Sequence, residues 1–293
     1  MVALLRRDHV VSEGLPADGD VVVHLSAEGT HKVLDAMENM TLTGVVLLSS
    51  ATVYGAWADN PVPITEDATI RPNPGVREAI EHAESERLVA TWASEHPAVT
   101  VAVLRPATVI VPGGDGWLVD ALTGQSAVRP GPDRQFVHVD DVASAVVLAV
   151  HDGLDGVFNV APNGGAPADE VRELGAWRVT LPLPRPLATW VSRWAFAARL
   201  SRVPPGALPL VEQPWVIASD RIQAAGWAPR YTSEESVVAG RAPSRWREMG
   251  PGRRQTAALV ASGVLASSVI AAVVAFVARA RRRVNPGGVP RRQ

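Results

Sequence analysis

Four short runs of aliphatic, mostly β-branched residues set the main constraint on this chain: 20–26 (DVVVHLS), 44–50 (GVVLLSS), 100–104 (TVAVL) and 156–160 (GVFNV). Such runs suit strands buried on both faces. The intervals between them read as helices. Residues 29–40 carry Val33, Leu34 and Met37 on one face, 74–95 form a long helix with charged outer faces, and 140–151 form a helix capped by an acidic residue. Strands alternating with helices at this spacing predict an α/β fold with a parallel sheet covered on both sides.

After Pro162 the texture changes. Residues 181–186 are proline-rich, and 187–200 (LATWVSRWAFAARL) are amphipathic, with Trp190, Trp194 and Phe196 among the apolar residues. Short helices are expected over 219–227 and 233–238. This part reads as a smaller second lobe. Residues 242–254 read as a polar linker.

The stretch 255–278 (QTAALVASGVLASSVIAAVVAFVA) has 24 residues without a charge. As a helix at about 1.5 Å per residue it would be about 36 Å long, enough to cross a hydrocarbon core of about 30 Å. Arg253 and Arg254 precede it, and Arg279 and Arg281 to Arg283 follow. Two readings stand: a membrane span with arginines at its ends, and a buried Ala-rich helix. The first predicts a single-pass C-terminal anchor with an Arg-rich tail, 279–293. Residues 1–11 hold no apolar stretch long enough for a signal peptide, so the main domain is expected in the cytoplasm. A net charge of −2 gives no reason to expect nucleic acid, and the absence of cysteine excludes thiol nucleophiles and disulfides.

Several phrases together resemble the extended short-chain dehydrogenase/reductase family, the NAD-dependent epimerase/dehydratase type. DVVVHLSA (20–27) looks like that family's fourth strand, and GTHKVLDAM (29–37) like the helix after it. LLSSATVYG (47–55) resembles the fifth strand and its catalytic serine, and PITEDATIRPNP (63–74) the loop before the active-site helix. The phrases at 101–113 (VAVLRPATVIVPG), 134–146 (RQFVHVDDVASAV), 156–162 (GVFNVAP) and 224–237 (AAGWAPRYTSEESV) follow in family order. The resemblance covers roughly residues 2–240. It implies a Rossmann-like, doubly wound parallel sheet binding NAD or NADP over residues 1–165, and a substrate lobe over 166–241.

Two departures shape the expectations. Such folds place a Gly-rich turn after their first strand to hold the cofactor pyrophosphate, and none precedes Asp20. MVALLRRD looks like the family's second strand, as if the chain began some thirty residues late, through a misplaced start or a truncated gene. The sheet is therefore expected to be incomplete at its N-terminus, with cofactor binding weakened or lost. On this reading Arg6 and Arg7 stand where the family reads the adenosine ribose, and arginine there suits a 2′-phosphate. Two exposed arginines ending a strand is the other reading.

The second departure is the family's Tyr-x-x-x-Lys, which supplies acid/base chemistry and holds the ribose. Aligning AESERLV (83–89) puts Glu78 at the tyrosine position and His82 at the lysine position. The only tyrosines are Tyr54 and Tyr231 and the only lysine is Lys32, so no such motif exists anywhere in the chain. Ser50 matches the catalytic serine. Glu78 and His82, four residues apart on a helix, either take over the proton chemistry or form a solvated pair. The resemblance further assigns Leu25, Ser26, Ala27 and Pro106 to the cofactor and Arg134 to a substrate diphosphate, which an Arg fork suits. Asp140 and Asp141 are read as caps and His24 as a packed strand-end histidine. No side-chain cluster has metal-ligand spacing, so no metal is expected.

The function expected is a membrane-anchored, NAD(P)-dependent epimerase/dehydratase-like oxidoreductase, impaired in this chain, acting on a nucleotide-sugar or an apolar alcohol or ketone. The alternative is a non-catalytic Rossmann-like nucleotide-binding sensor or scaffold tethered to the membrane. Expected partners are a small-molecule substrate, the membrane, and a second copy in a homodimer.

Overall fold

A computed structural model describes residues 2–6, 9–10, 20–114, 116–123, 131–174, 193, 196–198 and 203–240. The segment 255–278, most of 187–200, and Arg7 lie outside them. Among the described residues no helix is long and apolar enough to cross a membrane.

The elements in chain order begin with β1 (Val2–Arg6), β2 (His9–Val10), β3 (Val21–His24), α1 (Thr30–Met37) and β4 (Gly44–Leu48). A 3-10 turn (Ala51–Tyr54) follows, then α2 (Arg77–Glu95), β5 (Thr100–Pro106), β6 (Thr108–Ile110) and α3 (Trp117–Thr123). Next come β7 (Phe136–His138), α4 (Val139–His151), β8 (Gly156–Val160) and α5 (Ala168–Leu174). The short helices α6 (Leu208–Glu212), α7 (Asp220–Ala224) and α8 (Ser233–Ala239) complete the order. Residues 1–241 form one compact unit.

The main sheet has the order β2-β1-β3-β4-β5-β8, parallel from β1 to β8. β6 and β7 make a separate parallel pair. Side chains alternate between the two faces with the strand period of two. Val22, Val45, Leu47, Val101 and Val103 pack with Met37 of α1 and with Val89 and Trp92 of α2. Val23, Val46, Ala102 and Leu104 face the other way, into the cluster that holds Val142, Ala145 and Ala149 of α4. Burial on both sides is why the strands read as unbroken apolar runs.

Two expectations need correction. The segment read as the family's second strand pairs directly with β3 (Val2↔Val21 to Leu5↔His24). In a doubly wound sheet the strand beside the fourth is the first, so β1 fills the first-strand place. It is followed by β2, which returns antiparallel (Arg6↔His9), not by a crossover helix. A strand's place is fixed by its pairing partner, and that outweighs the likeness of 1–8 to a second strand. The other correction concerns α4, whose cap is not acidic. His138 is the N-cap residue, its Nδ1 accepting from the Asp140 amide at 3.2 Å. Asp141 is fully buried and accepts instead from the amides of Arg230 and Tyr231 at 2.9 and 3.1 Å. It thereby ties α4 to the segment before α8.

Candidate active site

β3, β4 and β5 end at the same edge of the sheet, where ligands of open parallel sheets bind. β4 delivers two adjacent serines to that edge. The backbone stays extended through Ser50 (φ −152°, ψ 144°) and then turns into the 3-10 turn. Gly55 ends the turn at φ 66°, where an added Cβ would meet the Arg71 carbonyl oxygen and the Trp57 indole.

Ser49 and Ser50, with alternate side-chain directions, meet different partners. Ser49 Oγ donates to Glu86 Oε1 at 2.5 Å. Glu86, on α2, also holds Arg105 of β5 (Nη2 to Oε2 2.6 Å, Nε to Oε1 3.0 Å), and this ion pair is 4% and 6% exposed. Arg105 Nη1 donates to the Tyr54 hydroxyl at 2.7 Å, and Tyr54 donates to Asn159 Oδ1 of β8 at 2.8 Å. Asn159 donates its amide to Glu66 and its side-chain N–H to the Ile64 carbonyl. This chain of bonds welds β4, α2, β5, β8 and the loop 63–74 together. Burial pushes the Tyr54 phenol above its ordinary value of 10.0, with the Arg105 charge opposing. Tyr231 stacks on His138 with ring centroids 4.2 Å apart. Both tyrosines therefore serve packing.

Ser50 is differently placed. Its Oγ accepts from the Thr52 amide at 3.2 Å and from Thr52 Oγ1 at 2.9 Å. A hydroxyl has two lone pairs and one proton. Both lone pairs are engaged, and the proton is left to donate to a ligand oxygen at the sheet edge.

The two replacements for the family pair separate. Glu78, at the start of α2, is exposed, and its Oε2 accepts from the Trp117 indole N–H at 2.8 Å. His82, one turn on, is largely buried, and burial holds it below its ordinary 6.5 against the charges of Glu86, Glu78 and Glu81. Its Nδ1 is buried without a hydrogen-bond partner, whereas its Nε2 is not among the buried unpartnered atoms. A neutral imidazole with an accessible nitrogen is competent as a general base.

At the end of β3, Leu25 is 39% exposed, Ser26 Oγ accepts from the Glu28 amide at 3.2 Å, and the Ala27 carbonyl accepts from Thr30. Leu5 pairs with His24, so the Arg6 backbone lies level with Leu25. Pro106 ends β5 opposite Val160. Arg134 is 7% exposed, and its backbone bridges Ala166 in both directions at 2.8 and 2.7 Å. It lies just before β7. Among the described residues no group of three or more His, Asp or Glu could hold a metal ion.

Sequence reasoning missed the Glu86–Arg105 pair and its links to Ser49 and Tyr54. A signal was present. Glu86 stands four residues after His82, and so falls on the same helix face as a residue aimed at the sheet edge.

Residues 16–161 match the model of the NAD dependent epimerase/dehydratase family. The 3-diazoavenalumate denitrifying reductase of a Streptomyces species is 30% identical over 226 residues, 71% of this chain and 68% of that protein. The chain belongs to the NAD dependent epimerase/dehydratase family. A Sinorhizobium fredii protein, y4nG, is 28% identical over 173 residues, and there the match spans 57% of this chain and 42% of the relative's length. The UDP-glucose 4-epimerase of Thermus thermophilus, solved with NAD, has the same fold (TM-score 0.54, 18% identity, 82% of this chain, 89% of the epimerase).

The residues fit one half of the family's coenzyme better than the other. Ser50 and the exposed Leu25 at adjoining strand ends, with His82 on α2, suit a nicotinamide ribose. For the pyrophosphate, β1 is paired by the antiparallel β2, and among the described residues no helix starts between β1 and β3.

Proposed function

We propose that this family member is an NAD- or NADP-dependent oxidoreductase in which Ser50 and His82 carry the proton chemistry. The observation behind the reading is the Ser50 hydroxyl, which has both lone pairs engaged and its proton free to donate. Bound in the cleft, the nicotinamide would supply the hydride acceptor or donor. Ser50 hydrogen-bonds the reacting oxygen of a hydroxyl or ketone carbon. In the oxidative direction the hydroxyl proton passes to His82 Nε2, and in the reductive direction it returns. Leu25, Ser26, Ala27 and Pro106 line the coenzyme; with β1 in the first-strand place beside β3, Arg6 no longer falls where the family reads the adenosine ribose. Arg134 orients the substrate. Glu78 positions the start of α2 through Trp117.

The substrate class proposed is a nucleotide-sugar, as in the Thermus epimerase, or an apolar alcohol or ketone. The Streptomyces reductase is named for 3-diazoavenalumate, which favours a substrate other than a sugar without choosing an alcohol or a ketone. Residues 255–278 are proposed to tether the domain to a membrane, on the strength of their length, lack of charge and flanking arginines.

A second reading, a non-catalytic nucleotide-binding module, is favoured by the exposed Glu78 where the family has its phenol. Titrating the full chain with NADH and NADPH and following their oxidation against a panel of carbonyl compounds separates the two. Turnover that falls about 10²- to 10³-fold in Ser50→Ala, as for loss of one donor to a developing oxyanion, supports the enzyme. Saturable binding with no turnover in the wild type supports the module and overturns the enzyme.

A further inference from the structure

The reading above leaves a second histidine at the same sheet edge unused. His24, the last residue of β3, is 3% exposed. Its Nε2 lies 3.0 Å from Thr30 Oγ1. Thr30 Oγ1 also contacts the Ala27 carbonyl at 3.1 Å and Ser85 Oγ at 2.5 Å. With the single Thr30 proton given to the Ala27 carbonyl or to Ser85, the threonine oxygen accepts from His24. That fixes His24 as the Nε2–H tautomer, with a bare lone pair on Nδ1. This Nδ1 is buried with no partner, a costly state for an acceptor. The Nδ1 of His82 is also buried and unpartnered, and His82 lies near enough that its charge lowers His24 further below 6.5, after burial. Ser85, three residues after His82 on α2, closes the cluster.

Resting on the proposed role of His82, we infer that His24 is a positioning residue for it: the Nδ1–H of His82 donates to the bare Nδ1 of His24. That bond would satisfy both orphaned atoms together. The consequence is chemical. With its proton held on Nδ1, His82 must present a bare Nε2 to the cleft, the form a base needs. The order runs from Thr30 through His24 to His82, so the tautomer of the reacting ring is set by the Thr30 hydroxyl. The charged and titratable groups around the pair are Glu78, Glu81 and Glu86 on α2, with Glu86 committed to Arg105 and Ser49. From β3 there is His24 itself, from α1 the neutral Thr30, and from β4 the neutral Ser49 and Ser50.

The test is a long-range proton–nitrogen correlation spectrum of the full chain labelled with 15N-histidine, at neutral pH without ligand, the His82 signal being assigned by its loss in His82→Asn. The expected result is Nδ1–H for His82 and Nε2–H for His24. An Nε2–H form at His82, the form favoured by a free histidine side chain, overturns the proposal. In His24→Leu the Nδ1–H signal of His82 should be lost and its apparent pKa should fall. His24→Asn, which offers an amide oxygen where Nδ1 was, should restore both. Unchanged His82 signals in folded His24→Leu overturn the proposal as surely. If His24→Leu does not fold, the wild-type tautomers decide alone. The spectrum needs no turnover, so failure of the oxidoreductase reading would show as absent activity with the two tautomers still as expected.

Discussion

Ser49 and Ser50 are neighbours in the chain but belong to opposite regions of the site. Ser49 enters a closed network in which Glu86, Arg105, Tyr54 and Asn159 find partners within the protein. Ser50, His82 and His24 stand at an edge where a hydroxyl proton and two ring nitrogens do not. The first region is built to hold strand ends in place. The second keeps hydrogen-bonding capacity in reserve, which costs free energy unless a ligand or a neighbour uses it. Sites of chemistry are where such reserve is expected, so the difference divides scaffold from site within a few residues of one strand end.

That division fails if the network proves dispensable. Glu86→Ala leaves the Arg105 charge buried and unpaired, and unfolding in denaturant should show a loss of about 3–5 kcal/mol. A loss below about 1 kcal/mol would mean that water reaches the arginine and that the network is not closed. Ser50→Ala comes next, with a turnover loss corresponding to about 3–4 kcal/mol of barrier. Its unfolding midpoint should move much less, because the hydroxyl only caps a single 3-10 turn. Ser49→Ala should do the reverse: about 1.5–3 kcal/mol of stability is at stake in a bond to a charged acceptor. If the two serines exchanged these signatures, the assignment of site and scaffold would be wrong.

Acid sharpens the contrast further. Burial holds His24 and His82 below 6.5 when folded, so the unfolded chain binds protons that the folded chain refuses. Their contribution to stability is complete above about pH 6.5 and is lost as pH falls below it, by up to about 1.4 kcal/mol per pH unit for each histidine. Denaturant midpoints measured from pH 7.5 to 5 should fall, and His82→Asn should flatten the slope. Glu78→Ala lies at the small end. The residue is exposed and loses one contact to Trp117, so the stability change should stay within about 0.5 kcal/mol.

Much of this was legible in residue patterns. Doubly buried strands leave no other periodicity, so β3, β4, β5 and β8 stood out as aliphatic runs. The serine of SSATVYG was marked only by its resemblance to the family's catalytic serine. The first-strand position of Val2–Arg6 did not, since strand order depends on pairing partners and no run of valines names its neighbour. His138 was hidden as a cap because Asp140 and Asp141 look like better ones. Only the fold shows that Asp141 reaches forward to Arg230 and Tyr231. The Glu86–Arg105 pair joins residues 19 apart, and each alone reads as surface charge. The tautomer of His24 required three contacts around one hydroxyl, which sequence does not contain.

The account stands on a cleft at the carboxyl ends of β3, β4 and β5 that presents Ser50 and His82 to a nicotinamide coenzyme. The most direct test is nicotinamide fluorescence of NADH and NADPH titrated with the full chain and with Ser50→Trp, whose indole would fill the cleft, using Arg87→Ala on the outer face of α2 as a control. Saturable binding of one coenzyme by the wild type and by Arg87→Ala, abolished in folded Ser50→Trp, is predicted. No saturable binding by the folded wild type, or binding that Ser50→Trp leaves intact, would contradict it.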